Sequence, residues 1–152
     1  MPEAAAATST ERNRQIALRL FEALDQQRFD EAESLVSPDF KLYFSNQVLD
    51  RDQFLALARA VYQSFANFRH EIHETLAVGD RVVVRCTDHG THTGEFEGVP
   101  ASGKHIAIGQ ISILRFEGDR VVELREEADM LLLMQQIGAI PAPEATPEAA
   151  NA

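Results

Sequence analysis

Apolar positions in this chain recur first at helical and then at strand spacing, and the change falls near Asn67. Over residues 8–27, TSTERNRQIALRLFEALDQQ, the positions Ile16, Leu20 and Leu24, with Ala17 and Phe21, form one stripe at 3.6-residue spacing and predict a helix. Thr8 and Glu11 have capping-box spacing. A short helix is expected from Asp30 to Val36, stopped by Ser37-Pro38. DFKLYFSN, residues 39–46, is strand-like. Asp50 can cap a third helix with Gln53 at the third position, and Phe54, Leu57, Ala58, Val61 and Phe65 supply its buried face.

Beyond Asn67 the pattern alternates. FRHEIHETLAV runs to the turn Gly79-Asp80, and RVVVRCTDHGTHT follows it. A Gly- and Pro-containing loop leads into HIAIGQISILRF, and Gly118-Asp119 turns that strand into VVELREEAD. LLLMQQ reads as a closing helix with Gly138 just past its end. Helices followed by hairpins define an α+β class: a curved antiparallel sheet with helices packed on one face. Residues 10–140 form the one expected domain. The Ala-rich residues 1–9 and PAPEATPEAANA, 141–152, are expected to be unfolded tails.

The last hairpin sets the question of function. With Gly118-Asp119 at the tip and Phe116 opposite Val121, regular pairing puts Leu114 beside Glu123, Ser112 beside Arg125 and Gln110 beside Glu127, on one side with Asp129. The other side then carries Ile111, Ile113, Val122 and Leu124. Two readings follow. The apolar side is the core and the charged side is solvated; or the mixed side lines a pocket, and the apolar side is the back of the sheet, covered by a second copy of the chain. A bulge would move Asp129 from one side to the other. The register does not choose between them.

Composition narrows the function classes. A formal net charge of −10 disfavours nucleic acid and anionic membrane surfaces, which need clustered Lys and Arg. No apolar run approaches the roughly 20 residues of a membrane span, and the N-terminus has no secretory pattern. The single Cys86 is expected as a small buried strand residue, consistent with a reducing, cytoplasmic setting. The pairs His70/His73 and His89/His92 are three apart, so on strands each pair points to opposite faces and cannot chelate together; no metal site is expected. Gly90, Gly94, Gly98 and Gly103 lack the strand-to-helix context of a dinucleotide loop.

Two blocks, GDRVVVRCTDHGTHTGEFEGVPASGK at 79–104 and FEGDRVVELREEADMLLLMQQIGA at 116–139, resemble the SnoaL-like polyketide cyclases. That family belongs to the cone-shaped superfamily of nuclear transport factor two, ketosteroid isomerase and limonene epoxide hydrolase. The resemblance implies a cone with an internal pocket, a small hydrophobic carbonyl substrate, no cofactor, and a homodimer formed through the back of the sheet. It places Asp129 on the family's acid/base Asp, and so favours the pocket reading. Arg125 stands where family members commonly carry Trp. A carboxylate facing an apolar cone is desolvated, which raises its pKa from about 3.9 toward neutrality. Glu123, Glu126 and Glu127 would push the same way and Arg125 the other. Such a group can move a proton beside a ketone, as in aldol cyclisation or isomerisation. Tyr43, Ser112, Gln110, His92 and Arg125 are the candidate donors to an enolate. Each has a plainer role available; for Asp129 it is the N-cap of the last helix. A limonene-type epoxide hydrolase and a non-catalytic ligand-binding or dimerisation module are the alternatives.

Overall fold

The computed structural model describes residues 2–142, with side chains from residue 9 onward. The elements follow in the order α1 (Pro2–Asp25), α2 (Phe29–Leu35), β1 (Val36–Phe44), β2 (Gln47–Asp50), α3 (Arg51–Ser64), β3 (Phe65–Val78), β4 (Arg81–His92), β5 (His105–Glu117), β6 (Arg120–Ala128) and α4 (Met130–Gln136). The six strands form one open sheet in the order β2-β1-β6-β5-β4-β3. All neighbours are antiparallel except β1 and β6, which run parallel. The sheet is therefore mixed, where a purely antiparallel one was expected.

The apolar stripe of α1 is buried as its spacing requires: Ile16, Ala17, Leu20, Phe21 and Leu24 all lie in the main core with Phe40, Phe54, Val82, Val84 and Leu114. The helix starts at Pro2, not at Thr8. The Ala-rich segment extends it, because Ala is the strongest helix former and Pro is tolerated in a first turn. Of the stretch expected to be an unfolded tail, residues 2–9 are described as part of this helix, and residue 1 lies outside the described residues. Of the expected C-terminal tail, residues 143–152 lie outside the described residues.

Helix α3 carries the capping box read from Asp50 and Gln53: Gln53 N–H donates to Asp50 Oδ1 at 2.9 Å, and Asp50 N–H to Gln53 Oε1 at 3.0 Å. Strand β2, which precedes it, has no strong pattern; it is a short, mostly exposed edge strand. A second, smaller core of Phe65, Ile106, Ile108, Leu133 and Ile137 joins the start of β3 and β5 to α4. Ile137 is followed by Gly138 at φ +80°, the left-handed turn that ends α4.

The last hairpin departs from regular pairing. Phe116 faces Val121 as expected, but the register then shifts, and Arg115 pairs with Glu123, Leu114 with Leu124, Ser112 with Glu126 and Gln110 with Ala128. Val122 is an extra residue on β6, so every later residue of the strand changes sides. Leu124, Glu126 and Ala128 point inward with Gln110, Ser112 and Leu114. Glu123, Arg125 and Glu127 point outward with Ile111 and Ile113. The expected grouping of Val122 and Leu124 with Ile111 and Ile113 is thereby corrected; Val122 and Leu124 are both buried.

Candidate active site

A cavity of about 140 Å³ lies where the two cores meet. Its roof is α3, through Phe54, Leu57, Ala58, Val61 and Tyr62. The last four are half-buried: they pack against the edges of the two cores and also line the cavity. Its floor is the sheet, where His70, Asp88, Gln110 and Glu126 form a polar row across β3, β4, β5 and β6. His70 and Asp88 are direct cross-strand neighbours. Gln110 pairs with Cys86 on one side and Ala128 on the other, one inward position away from Asp88 and from Glu126. The loop from β4 to β5 closes one side through Phe96 and Glu97. That loop is held against the end of α3: Thr93 and Gly94 both donate to Ser64 O, and Ser64 Oγ donates to Glu95 O at 2.6 Å. A Cβ at Gly94 would stand 2.7 Å from Gln63 O, so only glycine permits this approach.

Asp25, the last residue of α1, anchors the row. Its Oδ1 lies 2.7 Å from His70 Nδ1 and accepts from the Tyr62 hydroxyl at 2.7 Å; its Oδ2 accepts from His70 N–H at 3.0 Å. Phe21 and Phe68 pack edge-on against the His70 ring at 4.9 and 5.3 Å. Burial alone would lower the His70 pKa, but the Asp25 hydrogen bond and the charges of Asp88, Asp25 and Glu126 outweigh it and raise it. Burial likewise works to raise Asp25, yet its bonds to His70 hold that carboxyl below its ordinary value. Each partner thus favours the charged form of the other. His70 Nε2 is 3.8 Å from Asp88 Oδ1, too long for a hydrogen bond, which leaves its N–H available to a carbonyl oxygen in the cavity.

The two remaining acids are pushed upward. Burial raises Asp88, against the charge of His70 and a 3.4 Å hydrogen bond from Cys86 Sγ. Burial also pushes Glu126 up to about 7, with Asp88 adding to the shift and His70 opposing it. A carboxyl pushed toward neutrality, a histidine whose charged form is favoured and an apolar roof are the groups that reversible proton transfer beside a carbonyl requires.

The residues singled out by sequence divide between the two sides of the sheet. Gln110 lines the cavity, and its Nε2 donates to the buried Ser112 Oγ at 3.2 Å. His92 is fully buried at the inner end of β4; its Nδ1 accepts from Ser102 N–H at 3.1 Å, which ties down the β4–β5 loop. Arg125 is on the outer side, 4.0 Å over the Tyr43 ring and 2.9 Å from Glu123 Oε1. Asp129 is exposed, caps α4 by accepting from Leu132 N–H at 3.0 Å, and does not line the cavity. Among the described residues no arginine lines the cavity, so the Asp–Arg–Asp arrangement of a limonene-type hydrolase is not assembled in it. Sequence reasoning missed Asp25, Tyr62, His70 and Asp88 as a group, and took Glu126 only as a neighbour of Asp129. The bulge that moves Glu126 inward leaves no mark in the sequence pattern.

An open mixed sheet folded over helices, with one polar row inside an apolar cone, is the fold of the nuclear-transport-factor-like proteins. Within it, the chain belongs to the SnoaL-like polyketide cyclase family, which it matches over residues 14–137. It is similar to AclR from Streptomyces galilaeus, described as a candidate hydroxylase, at 26% identity and a TM-score of 0.81, over 88% of this chain and 100% of that one. A SnoaL-like polyketide cyclase candidate from Jannaschia sp. CCS1 is 27% identical with a TM-score of 0.81, over 88% and 96%. IdmH from Streptomyces antibioticus, a candidate polyketide cyclase, shares the fold at 23% identity and a TM-score of 0.75, over 83% and 98%. No curated protein sequence shows significant similarity to the chain. Among the described residues, no helix is long and apolar enough to cross a membrane.

Proposed function

We propose that this protein is an acid/base enzyme that moves a proton at the carbon beside the carbonyl group of a small hydrophobic compound, as an aldol-type cyclase or isomerase does. Glu126 is the group that takes and returns the proton, the role that family resemblance gave to Asp129. His70, charged and oriented by Asp25, stabilises the enolate oxygen through Nε2–H. The observation that carries this reading is the Glu126 carboxyl, pushed up to about 7 in the apolar cavity that His70 also lines. A second copy of the chain covers the outer side of the sheet, where Ile111 and Ile113 are exposed.

The test is hydrogen–deuterium exchange at the α-carbon of cyclohexanone and of acetophenone, followed by NMR. Wild-type protein accelerates exchange. Glu126→Gln lowers the rate about a hundredfold or more, the usual scale for a lost general base, while Asp129→Asn keeps most of it. A Glu126→Gln rate equal to wild type refutes the assignment. Binding without any accelerated exchange makes the protein a ligand-binding module.

A further inference from the structure

The cavity's size and charge define what it accepts, and this inference rests on the proposed acid/base reading. A cavity of about 150 Å³ holds one benzene, and this one is about 140 Å³. Its shape sets an apolar roof, formed by α3, over a polar floor, formed by His70, Asp88, Gln110 and Glu126. A flat ring fits between them with one edge against the floor. A fused polycycle exceeds this volume, and Phe54 and Phe96, which line the cavity, are held in aromatic contacts with Phe40 and Phe65 respectively.

The charges point the same way. Among the described residues the cavity wall holds no Lys or Arg. The one group in it that can carry a positive charge, His70, is already matched by Asp25 at 2.7 Å, with Asp88 at 3.8 Å, and Glu126 lines the same floor. A carboxylate or phosphate entering the cavity would lose its water and meet acids, with no free cation to replace the solvent. A neutral carbonyl or enol is met well: Glu126 and Gln110 can donate or accept, and His70 Nε2–H can donate.

We infer that the site takes an uncharged, single-ring carbonyl compound whose polar edge faces the His70–Asp88–Gln110–Glu126 row, and that it excludes fused polycyclic compounds and free acids.

Binding to the full-length wild-type protein tests this without turnover. Three probes are titrated by calorimetry at pH 7: 4-methylphenol, which mimics a neutral enol on one ring; 4-methylbenzoate, its anionic counterpart; and 2-anthrol, a fused tricycle with the same hydroxyl. The expected result is that 4-methylphenol binds at least tenfold more tightly than either of the others, and that it alone shifts the Glu126 carboxyl carbon signal. Equal or tighter binding of 2-anthrol or of 4-methylbenzoate overturns the inference, as does the absence of binding by 4-methylphenol. The two readings fail separately. The expected ranking without Glu126-dependent exchange sinks only the proposed chemistry; Glu126-dependent exchange with the reverse ranking sinks only the substrate class.

Discussion

Asp25 holds His70 at two points, one oxygen near the ring Nδ1 at 2.7 Å and the other on the backbone N–H at 3.0 Å. The two residues are 45 apart in sequence, and the pair ties the end of α1 to the third strand of the fold. Tyr62 adds a third element by donating from α3 to the same carboxylate. Helix, strand and roof thus converge on one group, which orients the histidine and favours its charged form.

Asp25→Asn separates those two effects. The amide keeps the size of the side chain but removes its charge, so burial regains the upper hand at His70 and its pKa falls. Histidine NMR titration measures the change. Breaking one partner of a buried charged pair costs about 3 kcal/mol, and denaturant unfolding should show a loss of that order. An unchanged His70 titration would mean that Asp88 and Glu126 alone keep the ring charged.

The raised acid predicts a cost in stability. Glu126 titrates at about 7 folded, against 4.5 as its ordinary value. Between these values the folded state binds more protons than the unfolded one, so stability falls as pH rises. The loss at alkaline pH is at most about 3 kcal/mol. His70, also raised, contributes stability that is present at low pH and likewise lost as pH rises through its folded value. Glu126→Gln removes the first contribution only. Its Tm should match wild type near pH 4.5 and exceed it at pH 8, with a flatter profile by differential scanning calorimetry. A Glu126→Gln protein less stable than wild type at pH 8 would show that the carboxyl is not held against its charge.

Asp129→Ala removes the side-chain acceptor for Leu132 N–H, which is worth about 1 kcal/mol for a helix cap. Chemical denaturation should register that loss while α-proton exchange on cyclohexanone stays near the wild-type rate. A loss of exchange with unchanged stability would return the catalytic role to Asp129.

On the outer side of the sheet, Ile111 is 49% and Ile113 38% exposed. Their cross-strand neighbours are Arg85 and Val83 on β4, and Glu127 and Arg125 on β6. An apolar centre with both signs of charge at its rim can pair with itself across a two-fold axis. Sedimentation velocity should find a dimer for wild type and a monomer for Ile111→Glu. A wild-type monomer at tens of micromolar removes the second copy from the proposal.

The parts of the fold legible in sequence are those set by local periodicity. The α1 stripe, the Asp50–Gln53 box, the turns at Gly79 and Gly118, and Gly138 all follow from spacing and backbone preference within a few residues. The site was less legible for two physical reasons. Its central pair joins residues brought together only by the tertiary fold, and no local pattern marks Asp25 as a partner of His70. The face of β6 depends on a bulge at Val121-Val122, where two adjacent buried valines give no alternation to betray it. Gln110 and Ser112 keep their expected inward side because β5 is regular along its length; the expected side of Arg125 and Asp129 came from counting through the bulge, and the role expected of Asp129 from family resemblance.

Val122 occupies the chain without occupying a rung of the ladder. Removing its codon would leave Arg115 opposite Glu123 and Ser112 opposite Glu126, because a regular hairpin one residue shorter has that same pairing. Descendants of this gene can therefore lose length at this one position and keep the same acid facing the cavity. The loss of a codon from between Glu123 and Glu126 would instead bring another side chain in, and Glu126 would pass to the outside of the cone.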